Sequence, residues 1–291
     1  MRKTAILLLT LLISTAAYAD HYGDTYVIPI VGHVTGANGT VWMSDVAIRN
    51  FSATPMEVEL ILIESGGDFS DNIVPLITND IDGSVTVPAN RTVMLEDILG
   101  GYERANITGA LLLGSDRPFA VTSRAYNSRL PLGQTVPASR NFFENSLGTI
   151  DNATAVYIPG IMQNSRTRTN LGFVAGSSGS LSTPMLVEVT IRDANGGVAG
   201  TKTVFIPQGN FAQYQFNIDT FVDEDIEVGT AEFRITQGEG TVVPYASLID
   251  NVTGEAAYIM GEFPDSTPAA NARRATSLFR QLLEQRQPSI R

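Results

Sequence analysis

Cysteine is absent from the chain. That excludes disulfides, thiol nucleophiles and thiolate metal sites, so stability has to come from packing alone. Histidine occurs only at His21 and His33. A Ser-His-Asp or Cys-His mechanism would therefore depend on His33, which sits in the loop-like stretch "VGHVTGANGT" with no nucleophile motif beside it. A histidine-rich transition-metal site is excluded on the same count. Basic residues are also in short supply: 19 Lys and Arg face 30 Asp and Glu, a formal charge of −11. A surface that acidic repels nucleic acid and anionic lipid. After the N-terminus no apolar run approaches the ~20 residues needed to cross a bilayer. The single tryptophan, Trp42, follows the turn signal "ANGT". It reads as a core residue, an exposed indole there being the alternative that suits carbohydrate stacking.

What is present begins with an export signal. Arg2 and Lys3 precede an apolar run from Ala5 to Ala17, and "AYA" at Ala17 to Ala19 stands before Asp20. This predicts a signal peptide over 1–19, and hence a periplasmic or extracellular mature chain without a transmembrane segment. A cysteine-free exported chain points to a bacterium. There, the N-x-S/T triplets starting at Asn38, Asn50, Asn90, Asn106, Asn152 and Asn251 are ordinary strand and turn composition. The other end differs in charge. Residues 262–291 hold five Arg among three acids. Thr267 and Pro268 are a helix start, and Ala275, Leu278, Phe279, Leu282 and Leu283 form an apolar stripe beside Arg273 and Arg274. This predicts a C-terminal helix, either docked on the rest of the chain or free to bind a partner through Arg273, Arg274, Leu278, Phe279 and Leu282.

Between the ends the chain repeats itself. "IP" at Ile28, "TPMEVEL" from Thr54, "VTVP" from Val85, "GAL" from Gly109 and "TSRAYN" from Thr122 recur in the same order. Their counterparts are "IP" at Ile158, "TPMLVEV" from Thr183, "VFIP" from Val204, "GTA" from Gly229 and "ASLIDN" from Ala246. Both copies are built of short Val-, Ile- and Thr-rich runs between Gly, Asn, Asp and Pro clusters, the pattern of a β-sandwich. The fold class is therefore all-β: two tandem Ig-like antiparallel sandwiches over 20–127 and 155–261, with a connecting segment over 128–154 and the C-terminal helix. Candidate strands are Val58 to Ile63, Val85 to Val87, Val93 to Leu95, Ala110 to Leu113 and Phe119 to Ser123 in the first copy. In the second they are Leu186 to Ile191, Thr203 to Ile206, Ala212 to Phe216, Ala231 to Ile235 and Val242 to Leu248. Short helical turns are expected near Glu96 to Leu99 and Ile218 to Val222, and a hairpin turn at "DANGG". Phe142, Phe143 and Leu147 suggest that the connecting segment packs across the junction.

Comparing the copies isolates one pair. Aligning "MSDVAI" with "RTNLGF" sets Asp45 against Asn170, and aligning "TSRAYN" with "ASLIDN" sets Arg124 against Leu248. Two opposite charges that disappear together predict a structural ion pair between Asp45 and Arg124, since a lone survivor would be stranded. The remaining acids lie mostly in turns. "NDIDG" (residues 79–83), and Asp219, Asp223, Asp225 and Glu227, offer oxygen ligands to calcium without the spacing of a dedicated loop. No catalytic residue and no cofactor is assigned.

"GTVWMSDVAIRN" from Gly39, "VTVPANRTVMLEDIL" from Val85, "GALLLGSDRPFAVTSRAYN" from Gly109, "GQTVP" from Gly133 and "YIPGIMQNSRTRTNLGFV" from Tyr157 resemble a tandem β-sandwich module of exported bacterial proteins. That family has no established biochemical activity, so the resemblance implies a scaffold and transfers no functional residue. The functional expectation is a secreted or periplasmic, non-enzymatic protein of binding, adhesion or surface assembly. Its partner would be a protein or a cell-surface polysaccharide, met at the loops and the domain junction. The alternative is a carbohydrate-binding accessory module or carbohydrate-active enzyme, and a third reading is assembly by strand addition.

Overall fold

The computed structural model describes residues 24–36, 39–65, 77–78, 84–101, 106–128, 130–140, 155–176, 184–207, 212–238 and 240–261. The expected signal peptide, the C-terminal helix with Arg273, Arg274, Leu278, Phe279 and Leu282, the "NDIDG" loop and residues 141–154 lie outside the described residues.

The first copy contributes β1 (Asp24–Thr35), β2 (Val41–Asn50), β3 (Met56–Glu64), β4 (Ile77–Thr78), β5 (Ser84–Val87) and β6 (Thr92–Leu95). The one-turn helix α1 (Ile98–Gly101) follows, then β7 (Ile107–Ser115), β8 (Phe119–Asn127), β9 (Leu130–Val136) and β10 (Ser139–Arg140). The second contributes β11 (Val156–Gln163), β12 (Thr167–Gly176), β13 (Met185–Asp193), β14 (Val198–Ile206), β15 (Ala212–Asn217), a 3-10 turn at Ile218–Thr220, β16 (Ile226–Gln237), β17 (Thr241–Asp250) and β18 (Ala256–Met260). All the strands pair antiparallel, and the pairing order repeats. In the first copy β5-β3-β7-β1 is one sheet and β6-β2-β8-β9 the other; in the second these become β14-β13-β16-β11 and β15-β12-β17-β18. β10 adds to β1, and the far end of β1 bends across to pair Val34 with Trp42, joining the first copy's two sheets.

Period-two alternation explains the layers. Along β3, Met56, Val58, Leu60 and Leu62 are buried while Glu57 and Glu59 are exposed. β13 repeats this with Met185, Val187, Val189 and Ile191. Ile28, Val46, Ile48, Leu60, Leu111 and Leu113 fill the first core, and Ile158, Leu171, Phe173, Val187, Val189 and Phe233 the second. Each such side chain contributes about 1.5–3 kcal/mol by leaving water.

A third apolar layer joins the copies. Val27, Ile63, Ala110 and Leu112, on the outer face of the β5-β3-β7-β1 sheet, pack with Val174 and Val243 from the outer face of β12 and β17. Tyr245 of β17 reaches into the first copy's core cluster, and Gln213 Nε2 donates to its hydroxyl at 2.6 Å. Buried on both faces, β17 is apolar almost throughout, as strands inside a stack must be.

Two sequence expectations change at this level. β9 and β10 occupy residues assigned to the connecting segment, so the first copy's sheets continue to Arg140. Pro131, Gly133 and Pro137 gave this stretch the punctuation of a loop, and Gly133, at φ +64°, is where the strand bulges. His33 lies in β1 opposite Ile107 rather than in a loop.

Candidate functional site

Asp45 stands directly opposite Arg124 across the β2-β8 pair. The guanidinium holds it through Nε at 2.8 Å and Nη2 at 2.5 Å, with the Asp45 side chain 2% exposed and that of Arg124 41%. The other oxygen, Oδ1, accepts the backbone N–H of Asp97 at 2.8 Å. Asp97, in the turn before α1 at φ +42°, turns its own carboxylate to His33 Nδ1, at 2.9 and 2.8 Å. The hydroxyl of Tyr126 closes the group. Burial, then the charge of Asp45 and the hydrogen bond to it, push this phenol up to about 12, while its ring lies 5.1 Å from the Arg124 guanidinium carbon.

The network has the parts of a positioning cluster more than of a reaction centre. His33 with Asp97 is the base and orienting half of a triad, which sequence reading missed because the two meet only through the fold. Among the described residues, though, His33 bonds to Asp97 alone, and no hydroxyl is seated on it as a nucleophile. Asp45 and Asp97 are linked through the Asp97 peptide N–H, whereas a glycosidase pair must stand on either side of a cleft.

The second copy lacks the network. Asn170 pairs with Ser247, not Leu248. Leu248 instead faces the core, as Ala125 does in the first copy. Matching strings therefore misaligned Arg124 by one residue, a slip that exchanges the faces of a strand. The inference of joint charge loss survives the shift, because Asn170 and Ser247 are both neutral.

A second cluster escaped the sequence reading. Glu232 of β16, 4% exposed, accepts from Arg192 Nε at 2.8 Å and from Arg234 Nε. Burial pushes its carboxyl up, and the two guanidiniums outweigh this to leave it below the ordinary value. The alternating charges in "IRD" and "EFR" were the available signal. Asp219, Asp223, Asp225 and Glu227 do not converge: among the described residues no group of three His, Asp or Glu is placed to hold a metal ion.

The concave feature of interest lies between the copies. A pocket of about 250 Å³ takes its walls from β1, β2, β7 and β8 on one side and β12, β15, β17 and β18 on the other. Trp42, Arg168, Asn170, Gln215, Ile249 and Tyr258 line it, and among the described residues no Asp or Glu does. Asn170 and Gln215 are half-buried, and among the described residues their amide groups have no hydrogen-bond partner. Burial pushes the Tyr258 phenol up to about 12, against the hydrogen bond to Ser247, so it is neutral over the physiological range.

No protein-family model and no curated protein matches the chain. Among solved structures it is similar to a glycosyl hydrolase family 2 member from Bacteroides cellulosilyticus, with 8% identity, 76% of this chain and 28% of that one covered, and a TM-score of 0.17. It is also similar to beta-glucuronidase 2 of Bacteroides uniformis, with 8% identity, 86% and 28% covered, TM-score 0.20. A third is the CupB2 chaperone of Pseudomonas aeruginosa, with 10% identity, 76% and 90% covered, TM-score 0.14. The chain spans under a third of the length of the two glycoside hydrolase family chains. Likenesses of this size carry no argument about activity or partners.

Proposed function

We propose that this chain is an exported, non-enzymatic binding protein whose tandem sandwiches hold a ligand in the pocket where they meet. The observation that carries this reading is the pocket's composition: two unpartnered amides, an indole, a phenol and a guanidinium converge from both copies, with no carboxylate among the described residues of the lining. Convergent polar groups in an otherwise apolar concavity are the usual mark of a ligand site. Export is supported by Arg2, Lys3, the apolar run to Ala17 and "AYA" before Asp20. Trp42 on the pocket wall favours the carbohydrate-binding alternative over the hydrolase, since the pocket supplies a stacking surface and no acid pair.

The test is a screen of the full chain against immobilised polysaccharides and small polar ligands, repeated with Asn170→Ala combined with Gln215→Ala. Ligands captured by the wild type should be lost by the variant at unchanged melting temperature. Retention of all of them would remove the pocket from consideration.

A further inference from the structure

We infer that the junction pocket takes an acidic sugar, a pyranose ring bearing a carboxylate; this rests on the pocket being the contact site. The chain has 30 acids, yet among the described residues none lines the pocket, and the one charged side chain there is Arg168. The other described arginines of the second copy, Arg166, Arg192 and Arg234, are each paired with Asp250 or Glu232. Arg168 instead donates from Nη1 to the Asn251 side-chain oxygen at 2.5 Å. A neutral amide orients the guanidinium without cancelling its charge. A planar fork left in that state is complementary to a carboxylate, which it meets through two parallel hydrogen bonds.

The rest of the lining sets what carries the carboxylate. Each hydroxyl of a sugar is both donor and acceptor, and so is each primary amide; Asn170 and Gln215 match that double character, and among the described residues neither has a hydrogen-bond partner. The indole of Trp42 is backed by Gly36, where a Cβ would lie 2.6 Å from Cδ1 and Nε1. The ring is thereby set as a wall against which an apolar sugar face can lie. Size agrees: about 250 Å³ falls just below the ~300–1,000 Å³ of drug-sized pockets, room for roughly a dozen heavy atoms. A free inorganic anion would leave the amides and the indole idle. A neutral hexose would leave Arg168 unanswered.

Trp42 is the sole tryptophan, so emission of the full chain excited beyond the tyrosine absorption band reports on this wall alone. Titrations with D-glucuronate, D-galacturonate, D-glucose, D-galactose and acetate should give a saturable change with a uronate. Affinity should be at least tenfold above that for the matching hexose and absent with acetate. Arg168→Gln should lower uronate affinity about tenfold, toward that of the matching hexose, and added salt should mimic it. Equal binding of uronate and hexose, or of uronate by wild type and Arg168→Gln, overturns the acidic-sugar assignment while the pocket stands. Ligands indifferent to Asn170→Ala with Gln215→Ala overturn the pocket itself, and the assignment with it.

Discussion

Asp45 and Arg124 can be tested with the protein's own alternative. Removing the guanidinium in Arg124→Ser leaves a carboxylate that is 2% exposed, at a cost of about 3 kcal/mol, the low end for a broken buried pair because Arg124 is itself partly solvated. Installing the second copy's residues together, Asp45→Asn with Arg124→Ser, should restore most of that loss, since Asn170 and Ser247 hold the same register without charge. Urea unfolding of the two single variants and the double measures the coupling; a value under about 0.5 kcal/mol would show that the charges act independently. The pair was legible because two charges vanished jointly between the repeats. The His33–Asp97 contact was not, since no local pattern marks residues that meet only when a turn folds under a strand.

At the level of elements, β9 depends on one backbone conformation. Gly133 has φ +64°, and a Cβ there would lie 2.4 Å from the carbonyl oxygen of Ala125. Gly133→Ala should therefore detach β9 from β8 before the rest of the sheet loosens. Amide exchange should accelerate for Gln134 to Val136, which face Ala125 to Ser123; unchanged protection there would contradict the role assigned to the glycine. Strand β16 carries a pH response instead. The Glu232 carboxyl is lowered in the folded state from 4.5. It therefore contributes stability that is present above the unfolded value and is lost as pH falls through the folded one. Glu232→Gln should flatten the acid limb of stability against pH below about 4.5, read from urea midpoints; an identical limb would mean that the two guanidiniums do not bias this group. Most strands were legible from alternation and turn residues. β9 was hidden because Pro131 and Pro137 bound it as they would a loop, and the Glu232 cluster because cross-strand neighbours depend on register.

For the whole molecule, the repeat made a paired sandwich readable, but not which faces would meet, because that depends on surfaces that local periodicity treats alike. The contact joins unlike faces: β3 and β7 of one copy against β12 and β17 of the other. The positions equivalent to Ile63, Ala110 and Leu112 in the second copy are Arg192, Thr230 and Glu232, as the matching registers show. Those equivalent to Val174, Val243 and Tyr245 in the first are Arg49, Ala120 and Thr122. A contact between unlike faces has no symmetry to close it, and left apolar at both ends it would add chain after chain into a fibre. The ionic clusters thus stand on the faces where a further unit would dock, and their charge disfavours such growth. Converting both ends, with Arg192→Ile, Thr230→Ala and Glu232→Leu together with Arg49→Val, Ala120→Val and Thr122→Tyr, should produce concentration-dependent linear polymers by sedimentation, whereas either end alone should sediment as the wild type does. If the doubly converted chain also sedimented as the wild type, charge would not be the terminator. Glu232 and Arg124 thereby act as end caps against the stacking of further chains on these two sandwiches.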